Sequence, residues 1–379
     1  MECPPVGMGI ERGEGTGRAV TLPYGGEDLG PRPHVAVVFC DKVGALVVAS
    51  PLLRGLRERY PDLILDYFGG ERMRELEEAS RLVDWRYSLF GPARALEDLP
   101  ASLDERRKIA GDYALAINLE FDPIAARACG LIRPRFMAGP WIDPASGARV
   151  EPPREGIDGL WHDVWNRPDL MQDYPVLETQ FIAEIFGNLA RVQADFTRPE
   201  APTAAPPFPT PPILIATGGN RSAKLWPTAY WLTVVRWLRR EGHALGLLGA
   251  APAEQQAAYH AADVDAAVIA AGAIDLRGTL TLPQVAGALR LARAFVTVDN
   301  GLMHLAAAAD APTIALFGAS PRRIWAPPRP SVHILEPSDP CSLCEENRFR
   351  NEACLLPVHQ CMNSIEPHRV IAALERLLV

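Results

Sequence analysis

The chain has 379 residues, 48% of them hydrophobic and 22% charged; this length suits two α/β domains or one large one, and the composition excludes a single small module and disorder throughout. Thirty-eight basic residues against 46 acidic ones leave a net charge of −8, which disfavours sequence-independent binding to nucleic acid or to an anionic membrane. Proline is the outlier, with 36 residues, nearly twice the average of roughly 5%, so short elements separated by loops and linkers are expected.

The first thirty residues are Gly-rich and carry Glu2, Glu11, Arg12, Glu14 and Arg18 where an export signal would need an apolar core. Residues 1–33 are therefore expected to form a disordered head, and the protein to be cytoplasmic. No stretch approaches the roughly 18–20 apolar residues of a membrane span, which limits any membrane contact to the periphery. Val35 to Phe39 predicts a buried strand, about Leu46 to Tyr60 a helix, and Leu63 to Phe68 a second strand. That is the βαβ pattern of a parallel sheet. Tyr113 to Leu119 predicts a later strand of the same sheet, and Tyr174 to Val192 a long amphipathic helix closing a domain over residues 34–197.

From Arg198 to Pro212, seven of fifteen residues are proline, which forces extended backbone and marks residues 198–212 as a linker. Beyond it the rhythm repeats over residues 213–379: strand Ile213 to Thr217, helix from about Thr228 to Arg240, strand Ala244 to Leu248, helix from about Ala253, and strand near Ala267 to Ile269. Helix Leu282 to Leu291, strand Ala294 to Val298, a helix through Ala306 to Ala309, and strand Thr313 to Phe317 complete it. The expected architecture is two doubly wound α/β domains with a ligand between their carboxyl-end loops.

Two strand ends carry candidate chemistry. Val298-Asp299-Asn300-Gly301-Leu302-Met303-His304 runs from an apolar strand into a helix whose free N–H groups attract phosphate, and Gly301 would let an anion approach the backbone. In the alternative, Asp299 only caps that helix and His304 packs beneath it. Thr217-Gly218-Gly219-Asn220-Arg221-Ser222-Ala223-Lys224-Leu225-Trp226-Pro227 is the second loop. Arg221 and Lys224 there either hold a diphosphate or form a solvated basic surface. No Gly-Lys-Ser or Gly-Lys-Thr P-loop ending and no G-x-G-x-x-G after the first strand occur, so P-loop hydrolysis and NAD chemistry find no support. Near the C-terminus, Cys341-x2-Cys344-x9-Cys354-x6-Cys361 has the count for a tetrahedral structural zinc, with His359 as a substitute ligand. Reduced packing thiols and disulfides are the alternatives.

The Asp299-to-Ala308 run, the Thr313-to-Gly318 strand followed by Trp325-Ala326-Pro327, and Lys224-Leu225-Trp226-Pro227 resemble glycosyltransferase family 9, the ADP-heptose:lipopolysaccharide heptosyltransferases. Lys42 to Arg54 is similar to that family's first βα turn. The resemblance spans roughly residues 34 to 375. It implies a GT-B fold, with the acceptor in the N-terminal domain and the donor in the C-terminal one, and inverting transfer of a sugar without a required metal. The donor would be a nucleoside diphosphate sugar such as ADP-heptose, and the acceptor lipopolysaccharide core or a soluble natural-product intermediate. Thr217 and Lys224 would hold the donor diphosphate. Asp299, Asn300, Gly301 and His304 would line its phosphate and sugar end, and Glu254 would face the nucleoside. The family's first turn has Gly-Asp, whose aspartate serves as general base; here the pair is Gly44-Ala45, and Ala45 cannot take a proton. Asp41 on the same loop is the candidate base, with Glu120 or Asp122 as others. Loss of transfer, leaving a nucleotide-sugar-binding protein, is the remaining possibility.

Overall fold

The computed structural model describes residues 20–378. Residues 1–19 of the expected head therefore lie outside the described residues. The described remainder of that segment is ordered into the fold: Leu22–Pro23 (β1) pairs in parallel with a strand at Phe136–Ala138, and Tyr24 is buried.

Two six-stranded sheets, all of whose strand pairs are parallel, carry the architecture. The first holds β1, β2 (His34–Val38), β3 (Ile64–Gly70), β4 (Trp85–Phe90), β5 (Leu115–Asn118) and β6 (Phe136–Ala138), in the order β1-β6-β5-β2-β3-β4. A two-stranded antiparallel ribbon, β7 (Trp141–Ile142) with β8 (Arg149–Val150), follows. The second sheet holds β9 (Ile213–Ala216), β10 (Leu245–Leu247), β11 (Ile274–Asp275), β12 (Ala294–Val298), β13 (Thr313–Leu316) and β14 (Val332–Leu335), in the order β11-β10-β9-β12-β13-β14. β2, β5, β9 and β12 are buried at every position, as strands covered on both faces by helices must be. In each sheet the chain winds to one edge and then returns past its starting strand. The switch points therefore fall between β2 and β5 and between β9 and β12, where the loops at the strands' carboxyl ends diverge and leave a crevice.

The helix Ala45–Arg59 tolerates Pro51 because the Val47 carbonyl, deprived of its usual backbone donor, accepts the Ser50 hydroxyl at 2.7 Å instead. Residues 198–212 contain neither helix nor strand. They lie as a strap: the Ala204 N–H donates to the Pro283 carbonyl at 2.8 Å, and Arg54 donates to the Arg198 carbonyl and to Glu200, each at 2.7 Å. One apolar cluster runs without a break from Val35, Leu52 and Phe186 to Leu214, Leu289 and Leu305, so the two halves share a core beneath the crevice.

Two expected elements differ. The segment 174–192 is not one helix. A turn of helix ends at Asp173, and a new helix, Ile182–Leu189, starts only after Pro175, its first turn fixed by Glu184, whose carboxylate accepts the Glu178 and Thr179 amides at 2.6 and 2.7 Å. Ala267 to Ile269 lies not in a strand but inside the helix Ala262–Ala270. There Val264 and Val268 are buried four residues apart, which is helical spacing. Among the described residues no helix is long and apolar enough to cross a membrane.

Candidate active site

The chain leaves β9 at Thr217 and reaches Lys224 through a tight turn over Ser222–Lys224. It leaves β12 at Asp299 and enters the helix Gly301–Ala308. These two loops flank the second switch point, and their side chains meet there. Lys224 Nζ lies 2.7 Å from Asp299 Oδ2, with Asp299 only 4% exposed. Burial by itself would raise the Asp299 carboxyl; the ammonium of Lys224 outweighs it, with help from the Ser320 hydroxyl, and holds the group below the usual carboxylate range. His304 is buried one turn into the helix, its ring edge-on to Trp325 at 6.1 Å. Burial, aided by the nearby Lys224 charge and opposed by Asp299, pushes its imidazole down to about 4, so it is neutral at physiological pH.

The helix cap belongs to Asn300, not Asp299. Asn300 Oδ1 accepts the Leu302 and Met303 amides at 3.0 and 3.2 Å, and its Nδ2 donates to the Gly218 carbonyl at 2.8 Å, tying the two loops together. Gly301 is needed for a different approach from the one expected. A Cβ there would collide with the Val43 carbonyl of the first βα turn. Gly44, at φ +109°, packs its Cα side against His304 and Gly301. The first turn of the N-terminal sheet thus docks on the helix that follows Asp299.

Beside this junction is a cavity of about 460 Å³. Leu248, Ala250, Leu280 and Val285 form an apolar wall, and Arg72, Glu75 and Glu254 line its rim from both halves of the molecule. Arg72 Nε lies 3.6 Å from Glu254 across the crevice, and Glu75 accepts the Leu282 amide at 2.7 Å. An apolar pocket ending in Asn300 and Gly301 next to a lysine suits a flat aromatic base with an attached diphosphate.

Glu254, Asn300 and Gly301 thus line the cavity, while Lys224 and Asp299 pair at the strand end just before Asn300 and His304 is buried in the helix that follows. Thr217 is not part of the cavity surface: it is 1% exposed, and its hydroxyl donates to Asp265, whose other oxygen accepts Arg277 at 3.0 Å. Arg221 also turns away, donating to the Asn351 and Ala319 carbonyls. Asp41 accepts the Arg72 amide at 2.9 Å; burial raises its carboxyl despite that bond and the Arg72 charge. Asp122 is the N-cap of the helix Pro123–Ile132, bonded to the Ile124 amide at 2.6 Å. Glu120 lies close enough to Cys40 to push that thiol up, second to burial, to about 12.

The four cysteines considered as zinc ligands lie together near the C-terminus. Cys341, Cys344, Cys354 and Cys361 are free thiols around one cavity, and among the described residues no three Cys, His, Asp or Glu side chains converge closely enough to hold a metal ion. Burial, reinforced by Cys344, raises the Cys361 thiol to about 11. Arg72, Glu75, Asp265, Arg277 and Ser320 were not indicated by the sequence. Arg72 and Glu75 line the apolar cavity, Ser320 supports the Asp299 carboxylate, and Asp265 with Arg277 holds Thr217 away from that cavity.

Residues 165–354 match the model of glycosyltransferase family 9 (heptosyltransferase). The chain is 31% identical over 225 residues to lipopolysaccharide heptosyltransferase 1 of Pseudomonas aeruginosa, a match covering 54% of this chain and 61% of that protein. The match thus spans less than two thirds of that relative's length. Among solved structures, a family 9 glycosyltransferase from Veillonella parvula superposes with a TM-score of 0.68 at 17% identity, covering 96% of this chain and 99% of the other. The ADP-heptose lps heptosyltransferase II of Escherichia coli superposes at 0.62 with 20% identity, covering 91% and 98%. The paired parallel sheets are accordingly the two Rossmann-like halves of a GT-B fold. With the family model matching half of its length, over the segment that carries Lys224 and Asp299, the chain belongs to glycosyltransferase family 9.

Proposed function

We propose that the protein transfers a sugar, a heptose, from a nucleoside diphosphate donor to an acceptor hydroxyl with inversion at the anomeric carbon. The observation that carries this reading is the buried Lys224–Asp299 pair, directly preceding Asn300 and Gly301, which line the apolar cavity. The donor is taken as ADP-heptose, the compound named for the Escherichia coli neighbour, and the base would rest on the Leu248 and Leu280 wall with Glu254 facing the nucleoside. Lys224 spends one of its three N–H donors on Asp299 and keeps two for the diphosphate. It therefore stabilises the negative charge that develops as the glycosidic bond breaks. Asp299 fixes the ammonium in place, and neutral His304 fills the space beneath without adding a competing charge.

The acceptor enters from the loops after β2 and β5. Asp41 would take its proton: one oxygen is held by the Arg72 amide, the other is 4.0 Å from Arg72 Nε, and the carboxyl is raised towards basicity by burial. Lipopolysaccharide core and a soluble natural-product intermediate are the acceptor classes, in a cytoplasmic setting. A protein that binds nucleotide sugar without transferring it is the second reading, favoured by Ala45, buried at 3% exposure where the family carries its acid.

Release of ADP from ADP-heptose, measured with each acceptor class in wild type and in Asp41→Asn, tests both. Turnover in wild type that falls at least about a hundredfold in the variant, with ADP binding retained, supports Asp41 as base. Turnover undiminished in the variant removes Asp41 from the mechanism. Tight ADP binding with no turnover on any acceptor favours the binding protein.

A further inference from the structure

The cysteine-rich tail is held against the donor loop by a series of bonds, and Lys224 lies in the middle of them. Arg221 donates to the Asn351 carbonyl at 3.0 Å and its guanidinium faces the Phe349 ring at 6.0 Å. The Ser222 amide donates to Glu352 Oε1 at 3.1 Å and the Ser222 hydroxyl to the Glu352 carbonyl at 3.0 Å. The Ala223 amide donates to the same carbonyl at 2.9 Å. Beyond Lys224, the Trp226 indole donates to the Ile365 carbonyl at 2.8 Å. The tail reaches the other side of the crevice as well. Gly318 has no room for a Cβ because Met362 sits against it. Two residues further on is Ser320, whose hydroxyl supports the Asp299 carboxylate.

The tail's own inner face explains how it can act as a rigid part. Asn351, 8% exposed, donates to Cys344 Sγ at 3.3 Å and to the Ala353 carbonyl at 2.8 Å, while Cys344, Cys361 and Met362 are buried in the core of the second sheet. Lys224 has a long, flexible stem, and a Lys ammonium aimed at a diphosphate loses affinity with every rotamer it must surrender on binding. Asp299 already holds the ammonium; fixing the backbone on both sides of Lys224, at 221–223 and at 226, removes the cost of ordering the loop itself. A short turn with one Gly-Gly step before it, Gly218-Gly219, has no comparable rigidity of its own.

From this we infer that the segment around Cys341–Cys361 is a brace for the donor-diphosphate loop, and that Glu352 and Arg221 are positioning residues acting through Lys224. The inference rests on the donor site proposed above. It gives the cysteine cluster a purpose separate from chemistry at the anomeric carbon: the thiols hold the tail together, and the tail holds the loop.

The test uses the full chain and three variants, Glu352→Ala, Glu352→Gln and Arg221→Lys, with ADP as the calorimetric probe and ADP-heptose as the kinetic one. Glu352→Ala removes the acceptor for the Ser222 amide, and Arg221→Lys removes the fork. Both should raise the Kd for ADP and the donor KM roughly three- to tenfold, the value of one or two ordinary hydrogen bonds, with Tm within about 3 °C of wild type. Glu352→Gln keeps an oxygen in place and should restore wild-type values. Without any ligand, amide exchange at Ala223 should accelerate in Arg221→Lys. ADP affinity unchanged in both variants while wild type binds ADP would overturn the brace alone. Failure of wild type to bind ADP would instead remove the donor-site reading, with the exchange measurement still deciding whether the tail orders the loop. A loss of affinity that merely follows Tm, without rescue by Glu352→Gln, also counts against the brace.

Discussion

Lys224 and Asp299, 75 residues apart in the chain, form a 2.7 Å ion pair with side chains only 12% and 5% exposed. Neither charge would be retained there for stability, since a buried pair only roughly offsets its own desolvation. Its value is directional: Asp299 holds the ammonium in one position.

Removing one partner should therefore be costly to the fold as well as to binding. Lys224→Met leaves Asp299 buried and unpaired, a destabilisation of about 3–5 kcal/mol, seen as a fall in the denaturation midpoint. Lys224→Met combined with Asp299→Leu should recover most of that stability while ADP binding stays lost. Recovery of ADP binding in the double variant would show that the pair is not the diphosphate site.

His304 and Glu77 should impose opposite slopes on stability against pH. The His304 imidazole is at about 4 in the fold against an ordinary 6.5, so between these values the unfolded chain binds a proton that the folded one does not, and stability is lost as pH falls through that window. Glu77, buried and bonded to Arg86 at 2.7 Å, is raised by burial to about 7 against an ordinary 4.5. The folded protein there holds the extra proton, so its contribution is full below about 4.5 and is lost as pH rises through 7. Each shift corresponds to about 3 kcal/mol, and over their shared range they largely cancel. Denaturant midpoints between pH 4 and 7.5 should be nearly flat in wild type, rise with pH in Glu77→Gln, and fall with pH in His304→Asn. Parallel profiles in all three proteins would sink this account.

Gly301→Ala introduces a methyl group where the Val43 carbonyl sits. The first βα turn must then move off the helix Gly301–Ala308, and the crevice is held partly open. Displacement of about 1 Å at a reacting centre costs on the order of a hundredfold in rate. The variant should lose kcat by that order with ADP affinity within a few-fold, and small-angle scattering should report a larger radius. Unchanged kcat would mean that closure at Val43 does not accompany transfer.

Asp66 accepts His34 at 2.8 Å, Tyr113 at 2.7 Å, and Nε and Nη2 of Arg106 at 3.0 and 2.9 Å, with its side chain fully buried. This network ties β2, β3 and the helix Ala95–Ala110 together on the side of the sheet where β2 begins, away from the crevice. Asp66→Ala strands Arg106 and should cost about 3–5 kcal/mol with ADP affinity unaltered below the new transition temperature. A variant that lost ADP binding while fully folded would contradict that separation.

Local sequence was enough for the elements whose pattern and ends are both short-range. The helix Thr228–Arg240 and the helix Leu282–Leu291, with its Thr281 and Gln284 capping box, fall where apolar spacing and caps indicate. So do the apolar strands at the centre of each sheet, and the strand-end motifs at Lys224 and Asp299. The apolar run Ala267–Ile269 lies in a helix: three such residues suit a strand or a helix equally, and only burial of Val264 and Val268 on one helical face decides.

What the tertiary structure alone decided is where each side chain points. Thr217 bonds a residue 48 positions away and Arg221 one 130 positions away, so neither is left for a phosphate. Gly301 makes room for Val43, and the cysteine-bearing tail packs on the loop that carries Lys224. Residue type and spacing determine which groups a loop carries. The partner that claims each group is set by packing between elements far apart in the chain, and no local pattern encodes that choice.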